Sequence, residues 1–122
     1  MTTLKPKFDS GHTVFFDVDG TIIHDKYSPE HAVETVLIGL NKQFRRYLPN
    51  HKVMRVIRDN FIRGNIVVVW SARGAEWCNI VVKKLQLDKY VNLCISKPSH
   101  FVDDLPAFVF MPEKNRVKPE DI

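Results

Sequence analysis

The chain has 122 residues, 44% of them hydrophobic and 26% charged, with a formal net charge of +4. That length suits one domain, 1–122, with its own core and a radius of gyration of about 14 Å; it excludes a catalytic domain plus a sizeable covering domain. No apolar run exceeds five residues and the start, MTTLKPKFDSGHT, has no signal-like stretch, so Cys78 and Cys94 are expected to be free thiols in a reducing, cytoplasmic setting with no membrane partner.

Residues 1–12 are expected to form a loose arm. Thr13-Val14-Phe15-Phe16-Asp17-Val18 is an apolar run ending in acid with Gly20 close behind, the pattern of a buried strand running into a turn. Residues 30–48 fit two templates. Val33, Val36, Leu37, Leu40 and Phe44 have helical spacing; Thr35–Ile38 and Gln43–Leu48 also suit the arms of a hairpin turning at Asn41-Lys42. Asn50 can cap a helix over His51–Arg63 that turns Val53, Val56, Ile57 and Phe61 inward, with Gly64-Asn65 ending it. Ile66–Trp70 is continuous and β-branched, as in a strand covered on both faces. Ala75–Leu85 suits a second helix, with Trp77, Ile80, Val81 and Leu85 on one face. Val91–Ser96, Phe101-Val102 and Phe108–Met111 are further strand candidates, and 113–122 a polar, frayed tail.

Alternating apolar strands and helices predict an α/β domain with a Rossmann-like, mainly parallel sheet of about five strands, flanking helices and no cap. Ligands of such sheets bind beyond the carboxyl ends of the strands. Four strand ends deliver polar groups to that edge: Asp17 and Asp19, Ser71 and Arg73, Lys97, and Asp103-Asp104.

Two carboxylates two residues apart at the end of a hydrophobic strand are costly unless a cation or proton lies between them. With Asp103-Asp104 added and no His or Cys ligand set, the donors favour a hard cation, Mg²⁺ before Zn²⁺. Ser71 and Lys97 suit a phosphoryl group, and Gly20 permits close approach of backbone N–H donors to the same anion.

Asp17-Val18-Asp19-Gly20-Thr21, Ser71, Lys97 and Asp103-Asp104 resemble, in order, the four motifs of the haloacid dehalogenase superfamily of phosphohydrolases. The resemblance covers residues 13–104. It implies Asp17 as the nucleophile that forms an aspartyl-phosphate and Asp19 as general acid/base. It implies Ser71 and Lys97, helped by Gly20, Thr21 and Arg73, as the phosphate-binding group. Mg²⁺ would be held by Asp17, the Val18 carbonyl and Asp103, with Asp19 and Asp104 close by. The chain departs from the family in two respects: only Pro98–Val102 lie between the third and fourth motifs, leaving no room for the usual helix, and the fourth motif is an adjacent Asp pair followed by Leu105-Pro106, which leaves open whether Asp103 or Asp104 meets the metal directly.

Fifty-one residues separate Asp19 from Ser71 and 25 separate Ser71 from Lys97. That accommodates a short flap and one helix, then one helix and one strand, which favours the hairpin at 30–48. The chain thus resembles the capless members, which act on large substrates or borrow a lid by oligomerising. Residues 41–65 carry seven Lys/Arg against one acid. Lys42, Arg45 and Arg46 on the flap, with Lys52, Arg55 and Arg58 on the next helix, could form a track for a phosphate backbone; the plain alternative is a solvated face. His12, His24, His31, His51 and His100 show no ligand spacing, and Trp70 and Trp77 suit the core.

The expected function is that of a Mg²⁺-dependent phosphomonoesterase acting on a nucleotide or phosphorylated nucleic-acid end. A non-catalytic nucleic-acid- or protein-binding module, a phosphotransferase and a phosphoprotein phosphatase are the alternatives.

Overall fold

The computed structural model describes residues 11–26 and 33–122. Most of the expected N-terminal arm, His31 and the start of the expected flap lie outside them. The elements in chain order are β1 (Thr13–Asp17), β2 (Ile23–His24), β3 (Val36–Leu40), β4 (Gln43–Pro49), α1 (His51–Ile62), β5 (Ile66–Ser71), α2 (Ala75–Lys84), β6 (Leu93–Ser96) and α3 (Ala107–Phe110). Short 3-10 turns occupy Asp88–Tyr90, Glu113–Asn115 and Pro119–Asp121.

The domain is α/β, with a three-stranded parallel sheet ordered β1-β5-β6 and an antiparallel sheet ordered β2-β4-β3. In the parallel sheet Asp17 lies opposite Trp70, and Ser71 opposite Ser96. The carboxyl ends of all three strands therefore finish at one edge. Val14 and Phe16 alternate with more exposed Thr13 and Phe15, so β1 buries one face in the core with Val67 and Val69.

Asn50 caps α1: its side-chain oxygen accepts from Val53 N at 3.2 Å. Val53, Val56 and Ile57 are buried as the helical period requires, and Phe61 packs at the margin of the core. Trp77 and Val81 on α2 and Leu85 just after it are buried. The starts of β1 and β5 are tied by a buried polar relay. Asn60 Nδ2 donates to Val56 O at 2.9 Å, Asn65 Nδ2 donates to Asn60 Oδ1 at 2.9 Å, and Asn65 Oδ1 accepts from His12 N at 3.0 Å. His12 thus belongs to the folded body and not to a loose arm.

Residues 36–48 form the hairpin. Asn41 and Lys42 take φ of 54° and 66°, the paired left-handed geometry of a two-residue turn whose twist matches the strands. Cross-strand pairs alternate in face: Val36/Tyr47 and Ile38/Arg45 share one, Leu37/Arg46 the other. Ile38 and Tyr47 are buried, so that first face is the one packed inward, and β3 lies against α2.

The parallel sheet has three strands where about five were expected. Phe101-Val102 is irregular, and Phe108–Phe110 lie in the single turn of α3. A parallel crossover needs a dozen or more residues, and only five separate Lys97 from Asp103. The tail also differs from expectation: it forms two 3-10 turns, and Ile122 packs against the core. No helix among the described residues is long and apolar enough to cross a membrane.

Candidate active site

The site begins with the turn after β1. Val18 O accepts from Thr21 N at 3.2 Å, Ile22 N at 2.9 Å and Ile23 N at 3.2 Å. Gly20, at φ 85°, lets the chain reverse, and its N–H donates to Ile23 O at 2.8 Å. Two expected roles are thereby altered. The Val18 carbonyl, a proposed metal ligand, is taken by three backbone donors, and the Gly20 N–H, a proposed anion donor, is taken within the loop. What this tight turn does is hold Asp17 and Asp19 at the strand end.

Asp17 is met from two sides. Thr21 Oγ1 donates to its Oδ2 at 3.3 Å, and Lys97 Nζ stands 3.5 Å from its Oδ1. Lys97 arrives from the end of β6, where its N–H donates to Ser71 O at 2.9 Å. Its ammonium also lies 5.5 Å from the centre of the Trp70 ring, which tilts against Phe15 at 4.4 Å.

Asp19 has a different pair of partners. Arg73 Nη1 lies 3.2 Å from Oδ1, and Trp77 Nε1 donates to Oδ2 at 3.1 Å. The Arg73 guanidinium stacks 3.8 Å above the Trp77 ring and reaches the Tyr47 hydroxyl at 3.4 Å. Burial alone would lower the Arg73 pKa. The Tyr47 hydrogen bond and the Asp19 charge outweigh it, and the guanidinium is held above its usual value.

Ser71 is buried, and its Oγ accepts from Arg73 N at 2.9 Å. It shapes the turn that sends Arg73 across to Asp19. Gly74, at φ 108°, ends that turn, and Ser96 Oγ accepts from Ala75 N at 3.1 Å at the start of α2. The structure therefore brings together Asp17, Asp19, Thr21, Ser71, Arg73 and Lys97.

It does not bring the fourth motif into contact with them. Asp103 and Asp104 are exposed, and Asp103 Oδ1 accepts from Leu105 N at 2.9 Å in its own loop. No group of three or more His, Cys, Asp or Glu side chains among the described residues is arranged to hold a metal. Of the flap bases, Arg45 shares the face of Tyr47; Arg46 lies on the opposite face and donates to Thr35 Oγ1 at 3.3 Å. Lys42 is in the turn itself.

Two aromatic residues of the site were expected to serve the core or the flap. Trp77 is 1% exposed and Tyr47 is buried, their rings 5.6 Å apart. The signal for Trp77 was available: a buried indole N–H needs an acceptor, and Arg73 lies four residues before it, in the turn that leads into α2.

The two cysteines are free. Burial pushes the Cys78 thiol up to about 11, aided by Cys94, Asp17 and Asp19, and burial raises that of Cys94. Both are poor nucleophiles at neutral pH. An open cavity of about 810 Å³ lies beside Asp17, Thr21 and Lys97, lined also by Phe15, Trp70 and residues of the segment from Phe110 to Ile122. Family models, curated proteins and solved structures were compared with the chain, and none matches.

Proposed function

We propose that this chain is a phosphomonoesterase of the haloacid dehalogenase type, working through an aspartyl-phosphate on a nucleotide or a phosphorylated nucleic-acid end. The observation that carries the reading is the unequal treatment of two neighbouring carboxylates. Asp17 faces a lysine across 3.5 Å, whereas Asp19 is held by an arginine and an indole N–H. Groups in different environments can take different roles.

In this mechanism Asp17 Oδ1 attacks phosphorus, and the bond to the leaving oxygen breaks. Asp19 gives that oxygen its proton. Water then attacks the phosphorus of the aspartyl-phosphate, Asp19 takes the water proton, and Asp17 leaves as carboxylate with inorganic phosphate. Lys97, already beside Asp17, balances the charge of nucleophile and phosphoryl oxygens in both steps. Ser71 sets the turn that aims Arg73, and Arg73 adds a second cation at the Asp19 side.

Donor chemistry supports Mg²⁺ as the cofactor. The carboxylates here are all-oxygen donors at a half-exposed edge, and Mg²⁺ keeps several waters and needs only one or two carboxylates plus phosphate oxygens. Asp17 would hold it, with waters and the phosphate oxygens of the substrate completing the shell; Asp103 and Asp104 stand apart in their own loop, and the Val18 carbonyl is already taken. When bound, the ion would supply charge neutralisation for the phosphoryl group.

The test is a Mg²⁺-dependent phosphatase screen running from an aryl phosphate through nucleotides to 3′- and 5′-phosphorylated oligonucleotides. Wild type should turn over at least one substrate and lose that activity on chelation. Asp17→Asn should be inactive because an amide forms no acyl phosphate. Full activity in Asp17→Asn, or a wild type inert across the panel, refutes the assignment.

A further inference from the structure

Asp19 has two oxygens, and the structure distinguishes them. Oδ2 accepts from Trp77 Nε1 at 3.1 Å, and that indole is 1% exposed, fixed in the core by α2. Oδ1 meets Arg73 at 3.2 Å in a pair whose side chains are 46% and 39% exposed. One partner is buried in the core and the other is at the water edge. A buried indole is a rigid donor with a single N–H and no alternative rotamer inside a packed core.

We infer that Trp77 is a positioning residue for the Asp19 carboxylate: its indole N–H pins Oδ2, and through the stacked Arg73 guanidinium it also sets the direction of Oδ1. This rests on the phosphatase reading above. Arg73 is stacked on the same indole and backed by the Tyr47 hydroxyl, so its pair with Oδ1 is also aligned by Trp77. The arrangement ties the flap strand β4 and helix α2 to a single carboxylate. Tyr47 comes from the flap and Arg73 and Trp77 from the segment around the start of α2, yet all three converge on or beside Asp19.

Proton donation matters most when the leaving group is poor. An alkoxide leaves badly without a proton, whereas a nitrophenolate leaves well without one. A lost positioning contact should therefore fall on one substrate class, and a general packing defect should fall on both. The measure is kcat/KM, which covers the step in which the leaving group departs.

The experiment compares wild type and Trp77→Phe on an alkyl phosphomonoester and on 4-nitrophenyl phosphate. Trp77→Phe should lose about tenfold in kcat/KM on the alkyl ester, the scale of a misaligned acid, and less than about twofold on the aryl ester. A second measurement leaves Trp77 in place. The chain has two tryptophans, so its amide spectrum carries two indole N–H resonances. In Asp19→Ala the Trp77 resonance should move upfield, while that of Trp70, whose ring lies by Phe15 and Lys97, should hold its position.

Equal losses on both esters overturn the positioning role and leave the phosphatase reading standing. An unmoved Trp77 resonance in Asp19→Ala overturns it as well, whatever the activity. A wild type inactive on both esters and on the nucleotides and phosphorylated oligonucleotides overturns the phosphatase reading and the role of Trp77 with it, and the indole shift still reports the contact itself.

Discussion

The relay Asn60–Asn65–His12 lends itself to a quantitative test, because it fixes the first rung of the strand pair whose last rung sets Asp17 opposite Trp70. In Asn65→Ala two side-chain hydrogen bonds disappear. The bond from His12 N is part-buried, and its loss costs about 1 kcal/mol. Asn60 is 0% exposed, so its Oδ1 would lose its partner with no water to take over, at about 2 kcal/mol. The sum is about 3 kcal/mol. With an unfolding entropy of about 2.1 cal/mol/K per residue, 122 residues convert this to a fall in Tm of roughly 12 °C. The assay is urea and thermal unfolding followed by circular dichroism, with the double variant Asn60→Ala/Asn65→Ala completing a cycle. If the orphaned oxygen dominates, the double variant should cost less than the sum of the singles by about 1 kcal/mol or more. A loss below about 0.5 kcal/mol in Asn65→Ala, or strict additivity, refutes the account.

Two further outcomes follow from the geometry. If the flap guides a phosphate backbone, Arg45→Glu should weaken binding of a phosphorylated oligonucleotide and flatten its log–log salt dependence by about 0.7–0.9. Arg46→Glu, on the opposite face, should do much less, and equal slopes for the two would return both to a solvated face. For Cys78, burial raises the folded thiol to about 11, above its ordinary value of 9.0, so the folded state keeps a proton that the unfolded chain releases. Its contribution to stability is complete below pH 9 and fades as pH rises towards 11. The urea midpoint of wild type should therefore fall more steeply across that window than that of Cys78→Ala, and parallel curves would contradict the assignment.

Much of the scaffold was legible because it obeys local rules. Asn50 before a periodic apolar stretch predicted α1 and its cap, and the β-branched Ile66–Trp70 predicted the central strand. The argument from spacing also identified the hairpin, although helical periodicity favoured the other template. The convergence of Asp17, Ser71 and Lys97 followed from strand ends alone, since parallel strands present their carboxyl ends to one side. What escaped was set by long-range or backbone geometry. Trp77 and Asp19 are 58 residues apart, and periodicity marks an indole as buried without saying what its N–H meets. The Val18 carbonyl and Gly20 N–H were lost to the tight reversal of the turn, a property of φ and not of residue type.

The misread stretch after Lys97 has one physical cause. Phe101-Val102 and Phe108–Met111 are apolar enough for strands, but apolarity without room for a crossover cannot make a parallel neighbour. Pro98, Pro106 and Pro112 further divide the segment. The consequence is visible on the sheet. Phe15, Ile66 and Leu93 lie on the same face of β1, β5 and β6 and remain 40%, 50% and 52% exposed. Phe101, Phe108 and Met111 are exposed in turn. A longer spacer could have supplied a helix to cover that face and a strand to lie beside β1. With five residues it supplies neither, so the short spacing accounts for the three-stranded sheet and for the half-exposed Phe15, Ile66 and Leu93 around the buried Val68.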